Sequence, residues 1–242
     1  IEQLGKKKSL LEQYKKGMVQ KLFSQELRFK DTQGNEFPDW EEKRLGNFYE
    51  FKPTNSLSRD KLNYEGGEVR NIHYGDIHTK FKPKFDLSEE NVPFINSDVD
   101  LSRISGDKYC KVGDLVIADA SEDYDDIGKT IELINLNGEK VLAGLHTLLA
   151  RISSKDIYIG YGAFVMACAT VRKQIKTIAQ GTKVLGISVR RMEEIKLPIP
   201  SPDEQQEITD FLSSIDQKID LVTTEVDHAK AFKKGLLQQM FI

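Results

Sequence analysis

From Pro202 onward an apolar residue returns at steps of four and three: Ile208, Leu212, Ile215, Ile219, Val222, Val226 and Ala229, then Leu236 and Met240 after a break at Lys233. Such spacing draws one narrow stripe along a helix, the seam of a coiled coil. Its start is sharply marked. Leu197-Pro198-Ile199-Pro200 closes an extended segment, and Ser201, Pro202 and Glu204 then fall where an N-cap, a first-turn proline and a capping-box acid belong. Asp210, Asp216, Gln217, Lys218, Asp220 and Lys230 occupy the other faces, so this helix can bury only its stripe and calls for a partner helix.

The other end of the chain supplies a candidate. Tyr14-Lys15-Lys16-Gly17-Met18-Val19-Gln20-Lys21-Leu22-Phe23 returns, without a gap, as Phe232-Lys233-Lys234-Gly235-Leu236-Leu237-Gln238-Gln239-Met240-Phe241. A repeat of this kind outranks local signals. The first residues therefore read as the tail of a helix begun earlier, and the chain as one period of a longer, two-period protein. Leu11, Met18 and Leu22 on the first helix, and Leu212, Ile215, Ile219, Val222, Val226 and Leu236 on the last, are the expected pairing positions. The expected division is a helix end over 1–26, a central domain over 27–200 and a coiled-coil helix over 201–242.

With 242 residues, 39% of them hydrophobic, the chain can build a sizeable core, and its 30% of charged residues suits polar-faced helices. Cys110 and Cys168 carry neither CxxC nor histidine spacing, which predicts buried thiols in a reducing, cytoplasmic setting. No apolar run reaches the length of a membrane span. A formal net charge of −3 argues against indiscriminate nucleic-acid binding but leaves room for a local, shape-fitted site.

Between the helices, strand and helix signals mix without strict alternation, so the middle reads as α+β. Trp40 with Leu45, Phe48, Tyr49 and Phe51 predicts a core entry. Val69–Ile72, Leu115–Ala118 and 145–152 read as strands, and Asn137-Gly138 between apolar runs predicts a hairpin of 129–135 with 139–143. Residues 156–178 read as one helix. Lys80-Phe81-Lys82-Pro83-Lys84-Phe85 predicts an extended segment with rings on one face and cations on the other.

Polar segments between these elements offer groups suited to phosphates and base edges. They are the loop with Ser56, Ser58, Arg59 and Lys61; the cluster of Arg70, His73, Tyr74, Asp76, Lys80 and Lys82; the acidic tip with Ser121, Asp123 and Tyr124; His146 and Thr147; and the turn Gln180, Gly181, Thr182 and Lys183. Each also reads as an ordinary solvated loop or half-buried edge. Two other readings compete: a metal-dependent nuclease using Asp123, Asp125 and Asp126 with His146, and a coiled-coil assembly factor that binds protein. The three carboxylates lack the spacing of metal ligands.

Asp39-Trp40 with Lys43-Arg44-Leu45-Gly46, Gly113-Asp114-Leu115-Val116-Ile117, Gly181-Thr182-Lys183-Val184-Leu185-Gly186-Ile187-Ser188, and Leu197-Pro198-Ile199-Pro200 with Glu204-Gln205-Gln206 and the Lys-Lys-Gly-Leu-Leu-Gln ending together resemble the specificity subunit of type I restriction-modification enzymes. The resemblance covers nearly the whole chain, which is similar to the C-terminal half of such a subunit or to a half-subunit that dimerises. It implies a mixed α/β target-recognition domain flanked by long helices in an antiparallel coiled coil. It further implies one half of a split DNA target read in double-stranded DNA, and helices that dock methyltransferase and restriction subunits. On that resemblance the chain itself does no chemistry and holds no cofactor or metal; S-adenosylmethionine, Mg and ATP belong to the partner subunits.

Overall fold

The computed structural model describes residues 1–240. The side chain expected in the seam at Met240, and the repeat residue Phe241, lie outside what it describes. Two compact units divide the chain, Ile1–Phe37 with Gln206–Ile242 and Pro38–Gln205. Helix α1 (Glu2–Phe23) opens the first.

The Pro38–Gln205 unit is built on two larger sheets. Its strands in chain order are β1 (Glu41–Arg44), β2 (Tyr49–Lys52), β3 (Leu62–Asn63), β4 (Val69–Ile72), β5 (Lys84–Asp86), β6 (Phe94–Ile95), β7 (Leu115–Ala118), β8 (Ala120–Ser121), β9 (Thr130–Asn135), β10 (Lys140–Ala143), β11 (Thr147–Ile152), β12 (Leu185–Gly186) and β13 (Lys196–Ile199). Helix α2 (Tyr74–Thr79) follows β4, while α3 (Tyr161–Ala167), α4 (Ala169–Ile178) and α5 (Val189–Glu193) lie between β11 and β13. The larger sheet has the order β2-β11-β7-β9-β5 and the smaller β10-β4-β6-β3. Pairs β5–β9 and β10–β4 are parallel, and the other pairs of these sheets are antiparallel. Every residue of β7 is buried, as a continuous apolar run in a central strand should be. One core gathers Val116, Ile131, Leu133 and Leu149 from the larger sheet, Ile72 and Val141 from the smaller, and Ile77 from α2.

The ends of this unit meet. Strand β1 pairs antiparallel with β13, from Glu41 opposite Ile199 to Arg44 opposite Lys196. Trp40 is half-buried and donates its indole N–H to the Glu204 carboxylate at 2.9 Å. Buried Gln205 accepts from the Tyr158 backbone at 2.9 Å and donates to the carbonyls of Asp156 and Pro200 at 2.8 and 2.9 Å.

Three local expectations need correction. Asn137 and Gly138 do adopt the left-handed backbone of a tight turn, with φ of 51° and 72°, yet β9 and β10 belong to different sheets. Parallel pairing of β10 with β4 captures the second strand, so the turn chemistry was legible and the long-range partner was not. The 156–178 helix starts only at Tyr161 and breaks at Cys168, whose extended backbone (φ −67°, ψ 153°) separates α3 from α4. Of the Lys-Phe alternation only Lys84–Asp86 is strand; Phe81 and Phe85 are nonetheless buried, edge to face at 5.1 Å. Cys110 and Cys168 are free and buried, and among the described residues no helix is long and apolar enough to cross a membrane.

In the other unit, Leu4, Lys8, Leu11, Lys15, Met18 and Leu22 form the less exposed stripe of α1, with Leu22 fully buried. Helix α6 (Pro202–Met240) buries Ile208, Leu212, Ile215, Val222 and Val226, with Ile219 and Ala229 half-buried. Lys15 Nζ lies 2.5 Å from Asp216 Oδ1, and the Phe29 ring packs edge-on against Phe211 at 5.6 Å. Moving forward from Lys15 to Phe29 moves backward from Asp216 to Phe211, so the two segments run in opposite directions. Leu236 departs from the expected pairing: it is 44% exposed, with Phe232 and Leu237 beside it also exposed.

Candidate nucleic-acid interface

Residues 119–121 follow the buried strand β7, and three polar segments from distant parts of the chain are stitched to them. The Asp119 amide donates to the His146 carbonyl at 3.1 Å, and the Asp119 carbonyl accepts from Ile187 at 2.9 Å. His78 Nε2 lies 3.0 Å from the Ala120 carbonyl, and β8 pairs with β12 through Ala120–Gly186 and Ser121–Leu185. Gln180 and Gly186 exchange backbone bonds of 3.0 and 2.7 Å, closing the 180–186 turn onto the same strand. Loop 144–147, helix α2, the acidic tip and the 180–183 turn thus converge, although the sequence separates them by up to about a hundred residues.

Tyr74 is the centre of an aromatic cluster. Its ring lies 4.7 Å from His73, 5.7 Å from His78 and 5.2 Å from His146, edge-on to the last two. His146 holds the left-handed backbone (φ 54°), which a histidine adopts only where its surroundings compensate. Its ring is half exposed, with Nδ1 3.4 Å from Asp119 Oδ1. Burial pushes the Asp119 carboxyl above its ordinary range, with His146 pulling the other way. Behind the cluster, Arg59 makes a two-pronged contact with Asp76 at 2.6 and 3.1 Å and reaches His73 Nδ1 at 3.2 Å. Burial works to raise the Asp76 carboxyl, but bonds from Arg59 and Lys80 outweigh it and hold the group below the usual range. Burial, then the nearby Arg59 charge, lowers the His73 imidazole. A cleft of about 510 Å³ opens beside His146 and Asp119, with Asn55, Ser56, Arg103 and Lys108 among its walls.

Several of the expected readers are spent inside the fold. Asp76 is 1% exposed and neutralises Arg59 and Lys80. His73 accepts from the Gly75 amide at 3.1 Å as the N-cap of α2. Thr147 is buried and donates to the Gly144 carbonyl at 2.6 Å, while buried Ser121 accepts from the Asp123 amide at 3.0 Å. Arg70 lies away from the cluster on the smaller sheet, bound to Glu139 at 2.5 Å and to the Val92 carbonyl at 2.7 Å, with its guanidinium 4.0 Å over the Phe94 ring. Ser58 bonds Asp60, Lys61 pairs with Asp98 at 3.2 Å and Lys82 with Glu89 at 3.1 Å. Lys80 reaches Asp76 at 2.8 Å and the Tyr64 hydroxyl at 3.2 Å. Open to solvent remain Ser56, Asp123, Tyr124, His146 and the turn Gln180, Gly181, Thr182 and Lys183.

The carboxylates of the competing nuclease reading disperse. Asp125 pairs with Lys176, Asp126 with Lys129 at 2.6 Å, and the partner of His146 is Asp119. Among the described residues no group of three histidine, cysteine or acidic side chains is placed to hold a metal ion. Sequence reasoning missed His78, Arg103, Lys108 and Asp119. For Asp119 the signal was present: it is a lone carboxylate directly after the apolar run Leu115–Ala118.

Residues 38–230 match the sequence profile of the type I restriction modification DNA specificity domain. The putative type I restriction enzyme MjaX specificity subunit of Methanocaldococcus jannaschii is 23% identical over 228 residues, which cover 90% of this chain and 49% of that protein. Two crystal structures share the fold. The S subunit of a type I restriction-modification system from M. genitalium superposes with a TM-score of 0.58 at 12% identity, covering 89% of this chain and 48% of that one. The HsdS subunit of Thermoanaerobacter tengcongensis gives 0.57 at 13% identity, covering 93% and 49%. The chain spans about half the length of these relatives. With a profile match across most of its length, the chain belongs to the type I restriction modification DNA specificity domain family.

Proposed function

We propose that this chain reads one half of a split target in double-stranded DNA and performs no chemistry of its own. The observation that carries the reading is the convergence on residues 119–121 of three polar segments from distant parts of the chain, in a chain of this family. His146, Tyr124 and the 180–183 turn stand open there, with Arg103 and Lys108 at the adjoining cleft. Cationic side chains would hold phosphates, and the polar groups between them would meet base edges in the major groove. The paired helices act as a spacer and dock methyltransferase and restriction subunits, which supply S-adenosylmethionine, Mg and ATP chemistry in the cytoplasm. A second copy of the chain, joined through the helices, would furnish the other half-site.

The test is selection from random double-stranded DNA with the methyltransferase subunits present. A recovered motif with a fixed gap, bound with steep salt dependence, is the expected result. Recovery of no motif would sink the reading. Inserting one heptad in the spacer should alter the gap and leave the half-site letters unchanged; altered letters would refute the spacer role.

A further inference from the structure

Asp119 and His146 both face the cleft of about 510 Å³, and their geometry determines more than exposure alone would. The carboxylate oxygen of Asp119 lies 3.4 Å from Nδ1 of the imidazole, and His146 is its one side-chain partner among the described residues. A carboxylate can only accept, and its charge 3.4 Å away favours the neutral imidazole that carries its proton on Nδ1. Nε2 is then left as a bare acceptor. Tyr74 packs edge-on against the ring at 5.2 Å and 78°, and the loop beneath is pinned by the bond from the Asp119 amide to the His146 carbonyl.

An acceptor at this place has a definite preference among bases. In the major groove adenine N6 and cytosine N4 present amino donors, whereas guanine O6 and N7 and thymine O4 present lone pairs that an acceptor repels. We propose that Asp119 fixes the tautomer of His146 so that Nε2 accepts from the amino group of adenine or cytosine at one position of the half-site. Asp119 is a positioning residue; only His146 touches the base. This inference rests on the reading of the chain as a DNA-recognition subunit and adds the chemistry of one contact.

The experiment is binding selection from random DNA at about pH 8, above the ordinary imidazole range, by the full chain and by H146A and D119A, each with the methyltransferase subunits. The wild type should prefer one base pair at one position by about 5- to 150-fold, the range for a single mismatched pair. H146A should make that position alone degenerate. D119A, which frees the ring to exchange tautomers, should lower the preference there several-fold and leave the other positions as they were. Unchanged discrimination in either variant overturns the proposal. So does uniform weakening at all positions in D119A. A second measurement needs neither DNA nor a folded variant: nitrogen-15 shifts of the four histidines in the free wild-type chain at the same pH. The Nδ1–H form at His146 supports the proposal, and a predominant Nε2–H form overturns it. If the wild type selects no motif, the DNA reading itself falls, and the proposal with it whatever the tautomer; a motif indifferent to both variants removes this contact alone.

Discussion

Replacing Glu132 by Gln tests the electrostatics of the Pro38–Gln205 unit most directly. Glu132 sits on β9 with no exposed surface. Its two oxygens accept from the amides of Gly160 and Ala163, at 2.7 and 2.8 Å, where α3 begins. Burial pushes its carboxyl up from the ordinary 4.5 to about 7, against the pull of those backbone donors. The folded chain therefore binds a proton that the unfolded chain has already released. The resulting stability is complete below about pH 4.5 and disappears as the pH rises through about 7. The gap between those values corresponds to about 3 kcal/mol. Gln is neutral at every pH, but its NH₂ group must face one of the two backbone donors, which costs about 1–3 kcal/mol. E132Q should thus be the less stable protein at about pH 5, and the difference should close or reverse by about pH 8. Urea unfolding followed by Trp40 reads this out, because the single tryptophan lies in the Pro38–Gln205 unit. Other titrating groups cancel between the two chains. A difference that is the same at both pH values, or that widens in the wild type's favour as pH rises, would refute the reasoning.

Arg151→Ala should cost about 3–5 kcal/mol in urea unfolding. It strands the fully buried Asp114 carboxylate, which the guanidinium contacts at 2.8 and 3.0 Å, and a loss under about 1 kcal/mol would contradict this. In the helical unit, Leu212→Ala should cost about 2–5 kcal/mol of helix-pair stability, whereas Lys15→Ala, which breaks the partly exposed pair with Asp216, should cost at most about 1 kcal/mol; equal losses would argue against an apolar seam. Gly181→Ala should open the turn, because a Cβ there would lie 2.0 Å from the Val184 carbonyl oxygen and φ is 132°. Amide exchange at Gln180 and Gly186 should quicken at least about tenfold with the β7–β11 core unaffected, and unchanged exchange would count against it.

The elements legible in the sequence were those with a local cause. The α6 seam needs only its own three-four spacing, and its start needs only Ser201, Pro202 and Glu204; the Ser201 hydroxyl does accept from the Glu204 amide, at 3.4 Å. Where pairing is long-range, local signals ran out. Nothing near Asn137-Gly138 says that β10 will leave β9 for β4, which precedes it by about seventy residues. The site divides the same way. Tyr74 and His146 stood out by residue type, but whether a polar residue faces solvent or neutralises a neighbour is decided by what packs over it. Asp76 looked like a reader and is buried under Arg59, whereas Asp119 looked like a strand end and lines the cleft.

The antiparallel pairing of β1 with β13 carries one further consequence. Chain direction enters the Pro38–Gln205 unit at Glu41 and leaves it opposite, at Ile199, so the point of entry and the point of exit are neighbouring strands of about 5 Å separation. Everything between behaves as an insert with a shared doorway. A different insert whose first and last strands pair in the same register would begin and end at the same two neighbouring points.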